Sequence, residues 1–272
     1  MIPITCQEQL LPGRTLQEKW EFAASAGYDG IELRGRGNFQ FRDRLPELRR
    51  AARDDVPMPT VCVDMLHFFG AFDPELRADA IAQLTSQLSV IAEIGGQAAA
   101  TPASYGMFSL RLPPFVPPRS PAEDREVLLA GLAVLGEHAA REGVLLCLEP
   151  LNRYEDHMVN RLDQAVDLIR AVGLDSLRVL ADTYHMNIEE DDPAAAVTKA
   201  APYLGFVQVS DSNRFQPGAG HIDWTTLLGA LSTVGYAGSL AVECRLRGDP
   251  ITALASIPRF LRHWTEASGD AR

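Results

Sequence analysis

The feature that most constrains this chain is a regular alternation of short apolar runs with longer amphipathic stretches. A short run rich in Val, Leu and Ile fits a strand buried on both faces, whereas apolar residues recurring every three or four positions fit a helix on a sheet. Repetition of this order is typical of parallel sheets built from βα units. Eight apolar runs predict strands at residues 3–6, 30–33, 60–64, 97–101, 144–149, 178–182, 206–211 and 239–244.

Helices are predicted between these runs, at residues 16–26, 76–94, 122–142, 162–172, 193–200, 224–234 and 251–267. Eight strands with intervening helices predict an α/β fold, a (β/α)₈ TIM barrel. A chain of 272 residues is long enough for one such barrel. No linker, low-complexity tract or charge block divides the sequence, so a single barrel domain over residues 1–272 is expected.

Composition narrows the class of partner. The formal charge of −11 argues against nucleic acid, because phosphate binding requires a clustered basic surface. No run approaches the roughly 18 apolar residues of a membrane span, and the first residues lack the pattern of a signal peptide. A cytoplasmic protein without a membrane partner is therefore expected. The four cysteines lie in or beside predicted strands without a C-x-x-C pair, which predicts buried free thiols.

Polar residues that close apolar runs identify the candidate site, because the active site of a parallel barrel lies at the carboxyl ends of its strands. Glu149, Asp182 and Glu243 end or nearly end three runs, and Gln208 lies in a fourth. Four oxygen donors in this arrangement suit a hard divalent cation. Burial of three carboxylates without a cation would be unfavourable. The expected cofactor is one divalent metal, Mn²⁺ first, with Mg²⁺ or Co²⁺ as alternatives.

Several motifs then resemble a known family, the xylose isomerase-like barrels of sugar isomerases and epimerases. The segment DTYHMNIEE at residues 182–190 is the most specific and looks much like that of ketose 3-epimerases. The similarity runs over most of the chain. The other motifs that carry it are EPLNR at 149–153, DSNR at 211–214, PGAGHID at 217–223 and VE at 242–243.

The resemblance implies roles for individual residues. Glu149, Asp182 and Glu243 match the family's carboxylate metal ligands. His185 and Arg214 match its substrate-binding pair, and Glu155 matches a further substrate contact.

One position departs from the epimerase pattern. The resemblance to ketose 3-epimerases implies a histidine metal ligand on the seventh strand, but this chain has Gln208 at that position. A glutamine carbonyl oxygen still binds a hard cation, and the hydroxypyruvate isomerase branch looks similar at this position. The metal site is therefore expected to persist, but the assignment to ketose epimerases in particular does not follow from this position.

Two further features lie near the predicted site. His67 follows the third predicted strand and is a candidate substrate contact, although a core histidine beside Phe68 and Phe69 fits equally well. The proline-rich segment 102–121 follows the fourth strand. Long loops of this kind are uncommon without a function, so this segment is a candidate lid over the site, with a plain surface loop as the alternative.

The predicted chemistry follows from a metal flanked by two glutamates. Polarisation of a hydroxy-carbonyl sugar would acidify the adjacent C–H bond and stabilise a cis-enediolate. Glu149 and Glu243 are the candidate acid and base. Return of the proton to the neighbouring carbon gives an isomerase, and return to the opposite face of the same carbon gives an epimerase; the sequence leaves both open.

Three other functions are compatible with the same pattern. A metal-dependent lyase could cleave an oxidised 3-keto-glycoside by deprotonation and β-elimination. A DNA-repair endonuclease shares the barrel but needs more metal ligands and a basic groove. A non-catalytic barrel would only bind its ligand or serve as a subunit. The expected partner is a small carbohydrate substrate, with a homo-oligomer or a partner subunit as a possibility.

Overall fold

The computed structural model describes residues 2–106 and 116–267. Within these ranges eight parallel strands form a closed barrel, in which each strand pairs with the next and the last pairs with the first. This confirms the predicted fold class. The strands are β1 (Ile4–Gln7), β2 (Gly30–Arg36), β3 (Thr60–Asp64), β4 (Ala98–Pro102), β5 (Leu145–Glu149), β6 (Leu177–Asp182), β7 (Leu204–Val209) and β8 (Leu240–Val242).

Ten α-helices occur among the described residues and cover the outside of the barrel. The predicted bounds are confirmed for α1, α6 and α8, and other predicted helices differ by one or two residues. They are α1 (Leu16–Ala26), α2 (Gln40–Asp43), α3 (Leu45–Arg53), α4 (Pro74–Glu93), α5 (Pro121–Glu142), α6 (Leu162–Val172), α7 (Thr183–Glu189), α8 (Pro193–Ala200), α9 (Trp224–Thr233) and α10 (Pro250–Ala267).

Three of these helices were not predicted from the sequence. Helix α2 is a single turn, too short to show a repeating pattern. Helix α3 is amphipathic and buries Leu48 and Ala51, but it spans only nine residues and was not recognised as a separate helix. Helix α7 starts directly at the end of β6 without an intervening loop. Its N-cap is Asp182, whose Oδ1 accepts hydrogen bonds from the backbone N–H groups of Tyr184 and His185.

The register of the strands brings the predicted site residues to one level. Asp182 on β6 pairs with Gln208 on β7, and Gln208 pairs with Ala241 on β8. Glu149 closes β5, opposite Pro102 of β4. The interior of the barrel is filled by a separate apolar cluster, while a larger one lies between sheet and helices. Both clusters stabilise the strands whose carboxyl ends carry the site residues.

The prediction of buried free thiols is confirmed for three of the four cysteines. Cys6, Cys147 and Cys244 are buried, Cys62 is partly buried, and all four are free thiols. Of the helices described, none is both long and apolar enough to cross a membrane.

The proline-rich segment is described only at its two ends, and residues 107–115 of the predicted lid lie outside the described residues. At the first end, Gly106 donates its backbone N–H to the carbonyl of Glu155 over 2.8 Å. At the second end, Arg119 pairs with Asp124 at 2.7 Å, and its guanidinium also donates to the carbonyls of Gly70 and Ala71. The flanks are thus tied to the neighbouring βα loops.

Candidate active site

A cavity of about 790 Å³ opens at the carboxyl ends of the strands. Five of the predicted site residues line it: Glu149, Glu155, His185, Arg214 and Glu243. Glu149 is buried, with 6% of its surface exposed, and Glu243 keeps 24% of its side chain exposed. The structure therefore brings together residues that are separated by up to about a hundred positions in the sequence.

The buried carboxylates form the base of the site. One ligand atom each from Glu149, Asp182 and His185 lies within 4.8 Å of the others. Asp182 is almost fully buried and is held at both oxygens, since Oδ1 caps α7 and Oδ2 accepts from Arg214 over 2.6 Å. This tight group does not contain Glu243, whose carboxylate lies farther around the rim.

Arg214 connects the two sides of the site. Its Nη1 donates to Asp182, and its Nη2 lies 3.0 Å from the Glu243 carboxylate. The guanidinium also stacks over the Tyr184 ring at 5.0 Å. The backbone of Arg214 is in the left-handed region, with φ of 60°, an uncommon conformation for a non-glycine residue. Strain of this kind is concentrated at functional sites, because the surrounding contacts hold it in place.

Charge in the site is unbalanced. Burial, reinforced by the nearby Glu243 and Asp182 carboxylates, raises the pKa of Glu149 well above its ordinary value. Burial also raises the pKa of Glu243, although Arg214 opposes the shift. For Asp182, burial acts in the same direction, but the Arg214 guanidinium prevails and lowers the pKa. Three carboxyl groups share one guanidinium, so the site favours an additional cation.

His185 is held in one tautomer by its neighbours. Its Nδ1 lies 3.0 Å from the backbone N–H of Asn152, which can only donate, so Nδ1 accepts and the proton of the neutral ring is on Nε2. Burial lowers the pKa of His185 and favours the neutral ring. Nε2 lies 3.7 Å from Glu149 and 4.0 Å from Glu155. His185 therefore presents a donor to the cavity, which fits the predicted substrate contact better than a metal ligand.

Gln208 is fully buried on β7. Its Nε2 donates to Glu32 over 3.1 Å, while its Oε1 is buried without a hydrogen-bond partner among the described residues. A buried amide oxygen without a partner is unfavourable unless another group binds it. Beside three carboxyl groups, this oxygen fits a hard divalent cation. The residues present thus fit the predicted metal.

Glu32 is a functional candidate that the sequence did not identify. It lies within β2, is completely buried and accepts from Thr60 over 3.2 Å as well as from Gln208. Burial, together with the charge of Glu243, raises its pKa to about 8. The signal in the sequence that could have identified Glu32 is its position inside an apolar run. Carboxylates are rare in buried strands because a buried charge needs partners.

The structure does not bring His67 to the cavity. Its Nε2 pairs with Asp79 of α4 at 2.7 Å, and the described residues that line the cavity include its neighbours Leu66 and Phe68 but not His67 itself. The prediction of a substrate contact from sequence position alone therefore gains no support from its placement.

Comparison with known proteins supports the assignment of the fold. A curated relative, the 3-dehydro-D-guloside 4-epimerase of Escherichia coli K12, is 36% identical over 95% of this chain and 98% of its own length. The D-psicose 3-epimerase of Agrobacterium fabrum is 28% identical over 92% of this chain and 85% of its own. The crystal structure of an E. coli 3-keto-D-glucoside 4-epimerase superposes with a TM-score of 0.91, at 35% identity over 97% of this chain and 100% of that one.

A closed parallel barrel with acidic and histidine side chains gathered at its strand ends defines the class as a TIM-barrel enzyme. The model of the xylose isomerase-like TIM barrel family matches residues 20–264, and the chain belongs to this family. Its relatives are named epimerases and isomerases. The protein is therefore an enzyme of the isomerase and epimerase type, rather than a barrel that only binds its ligand.

Proposed function

We propose that this enzyme is a divalent-metal-dependent epimerase of keto-glycosides, and that it inverts a hydroxyl-bearing carbon next to the keto group. The observation that carries the proposal is the presence of two glutamates, Glu149 and Glu243, in one cavity of about 790 Å³. Cavities of this size accommodate ligands larger than a single small sugar. The relative that acts on a 3-dehydro-D-guloside, by its name, supports a glycoside as the substrate.

Epimerisation at one carbon needs proton transfer on both faces of that carbon. Strands β5 and β8 are three strands apart in the eight-stranded ring, so Glu149 and Glu243 approach the cavity from different sides. One glutamate removes the proton next to the carbonyl, and the other returns a proton to the opposite face. An isomerase of a free ketose would need only one such group. The two-sided arrangement therefore favours an epimerase.

The metal would be held by Glu149, Asp182, Gln208 and Glu243, with Mn²⁺ as the expected ion, and when bound it would act as a Lewis acid on the keto group of the substrate. Around it, the protein supplies hydrogen-bond donors to the sugar. His185 offers Nε2–H, and Arg214 offers a guanidinium already oriented by two carboxylates. Both donors stabilise negative charge that develops on the oxygens of an enediolate.

The test follows methyl 3-dehydro-glucoside by ¹H NMR, with enzyme that has been treated with EDTA and then supplied with Mn²⁺. The expected result is formation of the epimer next to the keto group with Mn²⁺ and its loss in EDTA. Glu149→Gln and Glu243→Gln should each lower the rate by about 10²- to 10⁴-fold. Glu93→Gln on the outside of the barrel, where Glu93 pairs with Arg49, is the matched control and should retain full activity.

The same spectra separate the alternatives. Release of methanol with formation of an unsaturated ketone would identify the β-eliminating lyase instead. Conversion of free ketoses or hydroxypyruvate, with no change in the glycoside, would identify an isomerase or epimerase of free sugars. The absence of turnover with all of these substrates would contradict the proposal.

A further inference from the structure

A second groove, of about 490 Å³, adjoins the catalytic cavity on the side of β1 and β2. Gln9 and Arg34 line both the groove and the cavity, so the two spaces meet at these side chains. The groove lies at the same end of the barrel as the site, between the turn that follows β1 and the residues that end β2. A substrate bound in the cavity can therefore extend into this groove.

The groove is basic in a protein that is otherwise acidic. Five basic and three acidic side chains line it, whereas the whole chain carries a formal charge of −11. Most of these charges are paired within the protein. Arg44 binds the Glu8 carboxylate through both terminal nitrogens, Lys19 lies 3.9 Å from the same carboxylate, and Arg34 pairs with Asp64.

Two guanidinium groups lack such partners. Arg14 and Arg36 are exposed, line the groove, and have no acidic partner within the described part of the chain. Glu18 is the acid nearest to Arg14 in the sequence, but its carboxylate already accepts hydrogen bonds from the backbone N–H groups of Arg14 and Thr15 at the start of α1. Among the acids that line the groove, Asp43 is the one without a cationic partner in the described ranges, so positive charge prevails among the unpaired groups.

We propose that this groove binds the aglycone of the keto-glycoside and that the aglycone carries an anionic group, such as a carboxylate or a phosphate ester. The inference rests on the proposed function and specifies its substrate class. The keto sugar occupies the cavity, the aglycone passes Arg34, and its anion pairs with Arg14 and Arg36. Guanidinium groups suit this task because their planar forks bind carboxylate and phosphate with two hydrogen bonds.

The test uses three 3-dehydro-glucosides that differ only at the far end of a phenyl aglycone, which carries a neutral hydroxymethyl group, a carboxylate, or a phosphate ester. The wild-type enzyme should show a kcat/KM about five- to tenfold higher for the anionic aglycones, as expected of two exposed ion pairs. The preference should lie in KM and should fall at 0.5 M NaCl, because salt screens exposed charges. The carboxylate and phosphate arms identify the anion that is preferred.

The Arg14→Ala/Arg36→Ala double variant should lose this preference while its kcat/KM for the neutral substrate stays within twofold of wild type. The matched control is Arg50→Ala/Arg53→Ala, which removes the same charge from two exposed residues near the end of α3 and should retain the preference. Turnover of the three substrates at equal kcat/KM would overturn the inference but leave the proposed function intact. Turnover of none of them would contradict the proposed function itself.

Discussion

Replacement of Arg214 by Met tests the electrostatic structure of the site. Arg214 is the one cation that pairs with both Asp182 and Glu243 among the described residues, at 2.6 and 3.0 Å. Methionine keeps a long side chain that can pack on Tyr184 but carries no charge. The change therefore removes both ion pairs and leaves most of the packing in place.

The expected loss of stability follows from burial. Removal of one partner from a buried pair costs about 3–5 kcal/mol, because a charge is left without compensation. The side chain of Arg214 keeps 21% of its surface exposed, so the lower end of this range applies. At roughly 2–4 °C per kcal/mol for a chain of this size, a loss of about 3 kcal/mol should lower the melting temperature by about 6–12 °C.

The assay is thermal unfolding in EDTA at pH 7.5 and pH 5.0, and again with saturating Mn²⁺ at pH 7.5. Without the guanidinium, the pKa values of Asp182 and Glu243 rise, so these groups bind protons in the folded state as the pH falls. The deficit should therefore shrink at pH 5.0. It should also shrink with Mn²⁺, because a bound cation supplies the missing charge and stabilises the folded state.

A control variant, Arg161→Met, removes an exposed arginine that pairs with Asp163 and should change the melting temperature by less than about 2 °C. An unchanged melting temperature of Arg214→Met in EDTA would refute the reasoning, since the carboxylates would then need no compensating charge. A deficit that is independent of both pH and Mn²⁺ would also refute it, because the loss would then be one of packing alone.

Three further predictions concern the buried network. Glu32→Ala should free the Gln208 amide and weaken Mn²⁺ binding about 10- to 100-fold by calorimetry; an unchanged affinity would show that Glu32 does not orient this ligand. Because the folded pKa of Glu32 is about 8 against an ordinary value near 4.5, the free energy of unfolding should fall as the pH rises between these values. In urea unfolding with EDTA, the free energy of unfolding of Glu32→Gln should rise relative to that of the wild type by roughly 3–4 kcal/mol between pH 5 and pH 8. If the free energies of the two proteins changed in parallel with pH, the raised pKa of Glu32 would be contradicted. ¹⁵N NMR of His185 should show a neutral ring protonated at Nε2 from pH 6.5 to pH 8, and a proton on Nδ1 would disprove the fixed tautomer.

The parts of this structure that the sequence predicted correctly depend on local patterns. Each strand and most helices follow from the spacing of apolar residues over about ten positions, and Glu149 and Asp182 could be placed because each closes its own strand. Helix α7 was missed because its first residue follows β6 directly, with the strand-end carboxylate acting as the cap. No loop separates the two elements in the sequence.

The contacts that the sequence could not reveal cross the barrel. The bond between Gln208 and Glu32 joins residues 176 positions apart, and no local period reports such a pair. The tautomer of His185 depends on a backbone N–H from another strand's loop. His67 follows β3 in the sequence, but its side chain pairs with Asp79 of α4, a contact that its position alone could not reveal.

The most direct test of the proposed two-base epimerisation is the incorporation of solvent deuterium. Methyl 3-dehydro-glucoside is incubated with the Mn²⁺-loaded enzyme in D₂O, and both substrate and product are analysed by NMR and mass spectrometry. The account predicts one deuterium in the epimer, at the inverted carbon next to the keto group, and none in the recovered substrate at early times. An epimer that keeps its original hydrogen at that carbon would contradict the account, because one group would then have returned the same proton instead of a second group supplying a proton derived from solvent.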